Sequence, residues 1–232
     1  MRVILEGLRR QVLDAAKEMS RLGLVHATSG NVSARDAATG LVAITPSGLA
    51  YETLEPSDVV VIDVSGHTIE GTHRPSSETP MHMAVYRARQ DVLAVMHTHS
   101  PHATASGVAG SVLPAVTVPL AIYGPVPVSL IELPGTEELG ESCVQALGSE
   151  GMAVLLQNHG VLTVGRTARE ALEIALYIEE GAQVALLCDA AGTLKPIPER
   201  LVREIKRQWK AGRAVCRPAS APPSLSCCWP AC

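Results

Sequence analysis

An α/β fold built on a largely antiparallel sheet is what this sequence predicts, and three observations carry that expectation. Amphipathic helical periodicity occurs near both ends of the chain and in its middle. Short apolar runs of strand length lie between those helices. Several runs are joined by tight turns containing Gly and Ser, as in an antiparallel meander. Helices at both ends and in the middle, with short strands between, imply a sheet covered on both faces by helices.

Taken in order, residues 3–22 place Leu5, Leu8, Val12, Ala15, Ala16, Met19 and Leu22 at helical spacing, with Gly23 as the C-cap. His26 to Arg35 reads as a turn leading into a strand. Val42 to Ile44 is a second strand, followed by the tight turn Thr45-Pro46-Ser47-Gly48. Residues 59–64 form a strand that turns at Ser65-Gly66 onto a partner over 67–70. Ser76, Ser77 and Glu78 precede a helix with Pro80 in its first turn and an apolar stripe of Ala84, Val85 and Ala88. The apolar run 92–96 reads as a buried strand and ends at His97-Thr98-His99. In residues 112–131, Pro114, Pro119, Pro125 and Pro127 indicate edge strands or extended segments. A helix begins at Gly135-Thr136-Glu137-Glu138, with acidic residues in its first turn, and ends near Gly148. The apolar run 152–157 ends at Asn158-His159-Gly160, and 161–164 continues extended. Thr167 to Glu170 is a capping box for a helix reaching about Ala190. A basic amphipathic helix covers roughly 199–210. Residues 212–232, rich in Pro, Ser, Ala and Cys, read as a disordered tail, which leaves one domain over 1–211.

Composition narrows the function. With 232 residues, 47% of them hydrophobic, the chain can build a sizeable core. A net charge of −4 without a basic block does not indicate a nucleic-acid surface. There is no Phe, and aromatics make up 3%, so base-stacking platforms are not expected. The leading apolar run is too short for a signal peptide or membrane span, so the expectation is a cytoplasmic protein with no membrane partner. Cys143 and Cys188 fall in helices. Cys216, Cys227, Cys228 and Cys232 lack the paired spacing of a zinc ribbon and read as reduced thiols in the tail.

Residues i and i+2 of a strand point to one side, so His97 and His99 can reach one metal ion together. Alone, such a pair is equally at home at an ordinary strand edge. His159 closes the other apolar run in the same way. Three histidines with an open fourth position match the ligand set of a catalytic zinc. His82 and His102 read either as residues standing behind the ligands or as structural, and His26, His67 and His73 as surface residues. Three turns, Gly30-Asn31, Ser47-Gly48 and Ser76-Ser77, offer small polar side chains and free backbone N–H groups. Each is either a plain turn or part of a phosphate site made of neutral donors, and Ser77 is either an N-cap or a ligand. Glu78 is either a first-turn helix glutamate or a general base.

Gly30-Asn31-Val32-Ser33, Thr45-Pro46-Ser47-Gly48, Pro75-Ser76-Ser77-Glu78, His97-Thr98-His99 and Asn158-His159-Gly160 stand in the order and approximate spacing of the class II aldolase and adducin head family. The resemblance covers about residues 3–210 and is strongest to the L-fuculose-1-phosphate aldolase branch. It implies a three-layer α/β/α sandwich on a largely antiparallel sheet. It also implies homotetramers with active sites at subunit interfaces. His97, His99 and His159 would bind Zn2+, with Co2+, Mn2+ or Fe2+ able to use the same ligands. Glu78 would be the acid/base. Asn31, Ser47, Gly48, Ser76 and Ser77 would bind the phosphate of a small sugar phosphate. Glu78 matches the aldolases, since the epimerase branch carries aspartate there. The implied reaction is cleavage of a ketose 1-phosphate to dihydroxyacetone phosphate and an aldehyde through a zinc-stabilised enediolate. The fuculose branch has a tyrosine where this chain has Val118, with Tyr123 nearby but out of register. Trp209 stands about where that branch has a C-terminal tyrosine. Both departures fall on the aldehyde side and suit an apolar aldehyde, as from 5-deoxyribulose 1-phosphate or 5-methylthioribulose 1-phosphate. Alternatives within the resemblance are a methylthioribulose-1-phosphate dehydratase, a sugar-acid phosphate decarboxylase and a non-enzymatic adducin-like scaffold.

Overall fold

A computed structural model describes residues 4–215. The cysteine-rich tail, read from sequence as disordered, lies outside the described residues, apart from the helical residues that reach Val215. Helix α1 (Glu6–Arg21) buries Val12, Ala15, Ala16 and Met19 on one face, as its periodicity dictates. Four strands follow: β1 (Asn31–Arg35), β2 (Val42–Ile44), β3 (Val60–Ile62) and β4 (Thr68–Glu70). Helix α2 (Thr79–Ala88) leads into β5 (Ala94–Thr98). Two short helices, α3 (Pro101–Val108) and α4 (Val118–Tyr123), precede β6 (Val128–Ser129) and α5 (Glu137–Leu147). Strands β7 (Ala153–Leu156) and β8 (Gly160–Gly165) and helices α6 (Ala168–Ala190) and α7 (Glu199–Val215) complete the chain.

Among the described residues, eight strands form one mixed sheet in the order β4-β3-β2-β1-β5-β8-β7-β6. Every pairing is antiparallel except β6 with β7. Alternate residues of one strand enter different cores. On β5, Ala94 and Met96 join α1 and α6 residues, whereas Val95 joins α2 and α5 residues. On β7, Val154 and Leu156 face α2 and α5, whereas Ala153 and Leu155 meet Leu120 and Ile178. Period-two alternation therefore puts apolar side chains on both faces of the sheet.

The structure departs from expectation in several places. Residues 101–108 and 118–123 are helical, and only Val128–Ser129 of the segment 112–131 joins the sheet. Pro119 misled because it sits in the first turn of α4, where the missing N–H costs nothing; Pro101 takes the same place in α3, for which the sequence carried no expectation. Thr117 caps α4 by accepting from the Leu120 N–H at 3.2 Å. Residues 161–164 are extended as expected, within β8, but the preceding strand ends at Leu156 rather than His159, and the chain reverses between them so that β7 and β8 form a hairpin. The expected capping box of α6 is half formed. Thr167 accepts from the Glu170 N–H at 3.1 Å, but Glu170 reaches back to the Arg166 N–H at 2.8 Å. The residue at the N-cap of α2 is Glu78, not Ser77. Helix α7 runs five residues past its expected end.

Candidate metal centre and substrate cleft

Asn31, Ser47, Gly48, Ser76, Ser77, Glu78, His97, His99 and His159 all line one cleft of about 380 Å³. Thr28, Ser29, Gly30, Pro46 and Pro134 complete its wall and were not singled out as ligands by the sequence. Thr28 to Gly30 belong to the turn already marked by Gly30-Asn31; nothing local to Pro134 signals a cleft position.

Backbone pairing explains the convergence. On adjacent strands, Asn31 stands opposite His97. Gly30 permits this: it has φ +73, and a Cβ there would lie 2.8 Å from the His97 carbonyl oxygen. Thr45 and Val32 exchange hydrogen bonds, with the Thr45 N–H on the Val32 carbonyl at 3.0 Å and the Val32 N–H on Thr45 Oγ1 at 3.2 Å. The second turn thereby docks on β1. The Ser76 N–H then donates to the Thr45 carbonyl, and the Ser47 N–H to the Arg74 carbonyl, both at 3.0 Å. All three hydroxyl-and-glycine turns are thus laced together. Ser76 is buried and accepts the Glu78 N–H at 3.2 Å, whereas Ser47, Gly48 and Ser77 are exposed.

The three imidazoles meet at the centre of the sheet. His97 is the penultimate residue of β5, His99 follows the strand, and His159 sits in the β7–β8 hairpin. Asn158, with φ 56, adopts the left-handed conformation that Asn tolerates and turns His159 back toward β5. Ring centroids lie 4.7–5.2 Å apart, and the three ligand atoms lie within 4.8 Å of one another. Gly160 leaves room for them: a Cβ there would meet the Thr98 carbonyl oxygen at 2.3 Å and His97 Cε1 at 3.0 Å.

The protonation states suit a cation. The His97 Nδ1 is 3.0 Å from the Val161 carbonyl, which only accepts, so Nδ1 carries the proton. The Nε2 lone pair therefore faces His99 Nε2 at 2.9 Å. Burial, then the neighbouring His159 and His99, hold the His97 imidazolium well out of reach of neutral pH. Burial lowers His99 as well, and burial followed by His99 pushes His159 down to about 4. Three neutral imidazoles with converging lone pairs form a group that can hold a metal ion.

Glu78 is 7% exposed, and its Oε2 is buried without a partner. Burial alone pushes its carboxyl up to about 7. His82, one turn further along α2, is fully buried and hydrogen-bonded to Asn31 and Ser33. His102 pairs with Glu179 at 2.7 Å. His26 and His67 are exposed, whereas His73 is only partly so and bonds Asp58 at 3.1 Å. Val118 is exposed. Tyr123 and Trp209 contact each other, 5.5 Å between centroids, and Tyr123 stacks on Tyr177. None of these aromatic residues lines the cleft. Among the described residues no helix is long and apolar enough to cross a membrane.

Comparison with known proteins agrees with this geometry. Residues 10–186 match the family model described as Class II Aldolase and Adducin N-terminal domain. The 5-deoxy-D-ribulose 1-phosphate aldolase of Bacillus thuringiensis serovar kurstaki is 36% identical, covering 90% of this chain and 98% of its own. The L-ribulose-5-phosphate 4-epimerase UlaF of Salmonella paratyphi B is 38% identical, covering 86% of this chain and 93% of its own. A solved L-fuculose 1-phosphate aldolase superposes with a TM-score of 0.85 at 31% identity, covering 88% of this chain and 96% of that one. The structure of L-fuculose 1-phosphate aldolase from Glaciozyma antarctica superposes with a TM-score of 0.77 at 28% identity, covering 88% and 81%. Matched over most of its length by model, sequence and structure, the chain belongs to the class II aldolase and adducin N-terminal domain family, and it is an enzyme of the aldolase type.

Proposed function

We propose that the protein cleaves a ketose 1-phosphate, of the 5-deoxyribulose, 5-methylthioribulose or fuculose type, into dihydroxyacetone phosphate and an aldehyde. The observation that carries this reading is the buried, unpartnered carboxyl of Glu78 in the same cleft as three neutral imidazoles. His97, His99 and His159 hold a divalent cation, Zn2+ by the preference of an all-imidazole set. When bound, that ion supplies Lewis acidity at the ketone oxygen. Asn31, Ser47, Gly48, Ser76 and Ser77 hold the phosphate through neutral donors. As the carbon–carbon bond breaks, the hydroxyl of the departing carbon loses its proton and becomes the aldehyde carbonyl. Glu78 gives a proton to the carbon beside the ketone, so no net proton is gained or lost, and it removes that proton in the synthetic direction. A carboxyl pushed up to about 7 is populated in both forms at neutral pH, as that double duty requires.

The match to a 5-deoxy-D-ribulose 1-phosphate aldolase supports a deoxy substrate. The alternating burial along β5 and β7 supports a three-layer α/β/α sandwich in a single domain. A homotetramer with sites at its interfaces is supported by Leu130, Ile131 and Leu133, which are 67%, 60% and 72% exposed in a run that ends at the cleft-lining Pro134.

A second reading, epimerisation of a ribulose 5-phosphate, is favoured by the match to UlaF. The decisive experiment is a panel of ketose 1-phosphates and L-ribulose 5-phosphate, with and without chelator. Chelator-sensitive release of dihydroxyacetone phosphate from a ketose 1-phosphate supports the aldolase. Epimer formation without cleavage rejects it.

A further inference from the structure

His82 is a buried histidine that the chemistry above leaves without a task. Its Nε2 lies 2.6 Å from Asn31 Oδ1, and its Nδ1 lies 2.7 Å from Ser33 Oγ. Ser33 Oγ is in turn 2.8 Å from the Tyr86 hydroxyl. The direction of every bond in this chain is fixed by the donor inventory. An amide oxygen only accepts, so His82 Nε2 carries the proton. A neutral imidazole has one N–H, so Nδ1 accepts and the Ser33 hydroxyl donates to it. The Ser33 oxygen then accepts from the Tyr86 hydroxyl. Burial keeps the ring neutral, pushing its pKa down to about 3.

The consequence lies at the cleft end of the chain. Asn31 is 4% exposed and lines the cleft. Its oxygen is held by His82, and its Nδ2 is not among the buried side-chain atoms left without a partner, as fits an NH2 group with access to the cleft. With its oxygen held by the His82 N–H, the amide has its NH2 group left to donate. A reversed amide would present oxygen to an anionic phosphate. We propose that His82 is a positioning residue that locks the Asn31 amide with its donors toward the substrate phosphate. This rests on the phosphate role proposed for Asn31. The same contact ties α2, which carries Glu78, to β1, whose Asn31 stands opposite His97. One buried ring thus sets the spacing between the acid/base helix and the phosphate strand.

The test uses the full-length, metal-loaded enzyme and inorganic phosphate as a competitive inhibitor. His82→Gln keeps a polar side chain but not a fixed donor. It is expected to raise the phosphate inhibition constant and the KM for the ketose 1-phosphate about tenfold, the worth of one hydrogen bond to a charged group. The kcat should change far less, and metal content not at all. In an Asn31→Ala background, His82→Gln should add nothing. Full additivity there, or unchanged phosphate inhibition in His82→Gln while Asn31→Ala weakens it, overturns the proposal alone. Unchanged inhibition in Asn31→Ala overturns the phosphate role and the proposal with it. Histidine 15N NMR of the wild-type protein gives a readout independent of any variant's folding. It should show His82 as the neutral Nε2–H tautomer between about pH 5 and 8. An Nδ1–H tautomer, or protonation in that window, overturns the proposal.

Discussion

The two ends of the cleft are built on opposite principles. At the metal end, three imidazoles hang from β5 and from the β7–β8 hairpin at the centre of the sheet, held by ladders on both sides. At the end proposed to take the phosphate, three turns carry small neutral polar groups, and Ser47, Gly48 and Ser77 are exposed. A metal ion demands a few ligands in fixed geometry, and the three candidate ligands sit on or beside paired strands. A phosphate has several equivalent oxygens, so it can be held by a loose consortium. Substitutions should therefore act all-or-none at one end and in graded fashion at the other.

The largest effect is expected from His97→Ala or His159→Ala, either of which should abolish stoichiometric metal binding and reduce dihydroxyacetone phosphate release to background. Partial, graded loss would erase the contrast between the two ends. Next comes Glu78→Gln, which should leave the metal in place yet lower kcat by about 10²–10⁴, the range for a lost acid/base. The same variant carries a stability signature. The Glu78 carboxyl is raised from 4.5 to about 7. A raised folded-state pKa contributes stability that is complete below 4.5 and lost as pH rises through 7. At pH 8 the metal-free Glu78→Gln protein should thus be more stable than wild type by about 3 kcal/mol, and below pH 4.5 the advantage should vanish. Equal denaturation midpoints at pH 8 would show that the carboxyl is not buried as described.

Gly160→Ala sharpens the comparison from the backbone side. A methyl 2.3 Å from the Thr98 carbonyl must push the hairpin off β5. Metal affinity should fall about 10–100-fold, as when the support of a ligand is disturbed, and calorimetric titration would measure it. The smallest effect is expected at the phosphate end. Ser47→Ala should raise KM only several-fold, about 1 kcal/mol for one hydrogen bond, with kcat nearly intact. A loss at Ser47 as deep as that at His97 would refute the consortium picture.

The sheet-borne half of the molecule was legible in the sequence because its signals are periodic. Strands β1, β2, β3, β4, β5 and β7 and helices α1, α2, α5 and α6 all announce themselves by spacing or caps. The convergence of the three turns was not legible, since it depends on the Thr45–Val32 and Ser76–Thr45 backbone bonds, which no local pattern encodes. Within residues 112–131 the helix α4 was misread because proline marks both edge strands and helix first turns, and Pro119 takes the second role. His82 read as either a residue behind the ligands or a structural one, and it is buried. Its link to Asn31 spans 51 residues of sequence and emerges only once α2 packs on β1.

The central claim is that His97, His99 and His159 share one divalent ion. Elemental analysis of untagged protein after exhaustive dialysis tests it most directly. The expected result is one divalent metal per chain in the wild type and none in His97→Ala. A metal-free wild type that still releases dihydroxyacetone phosphate, or a His97→Ala protein that keeps its metal, would contradict it.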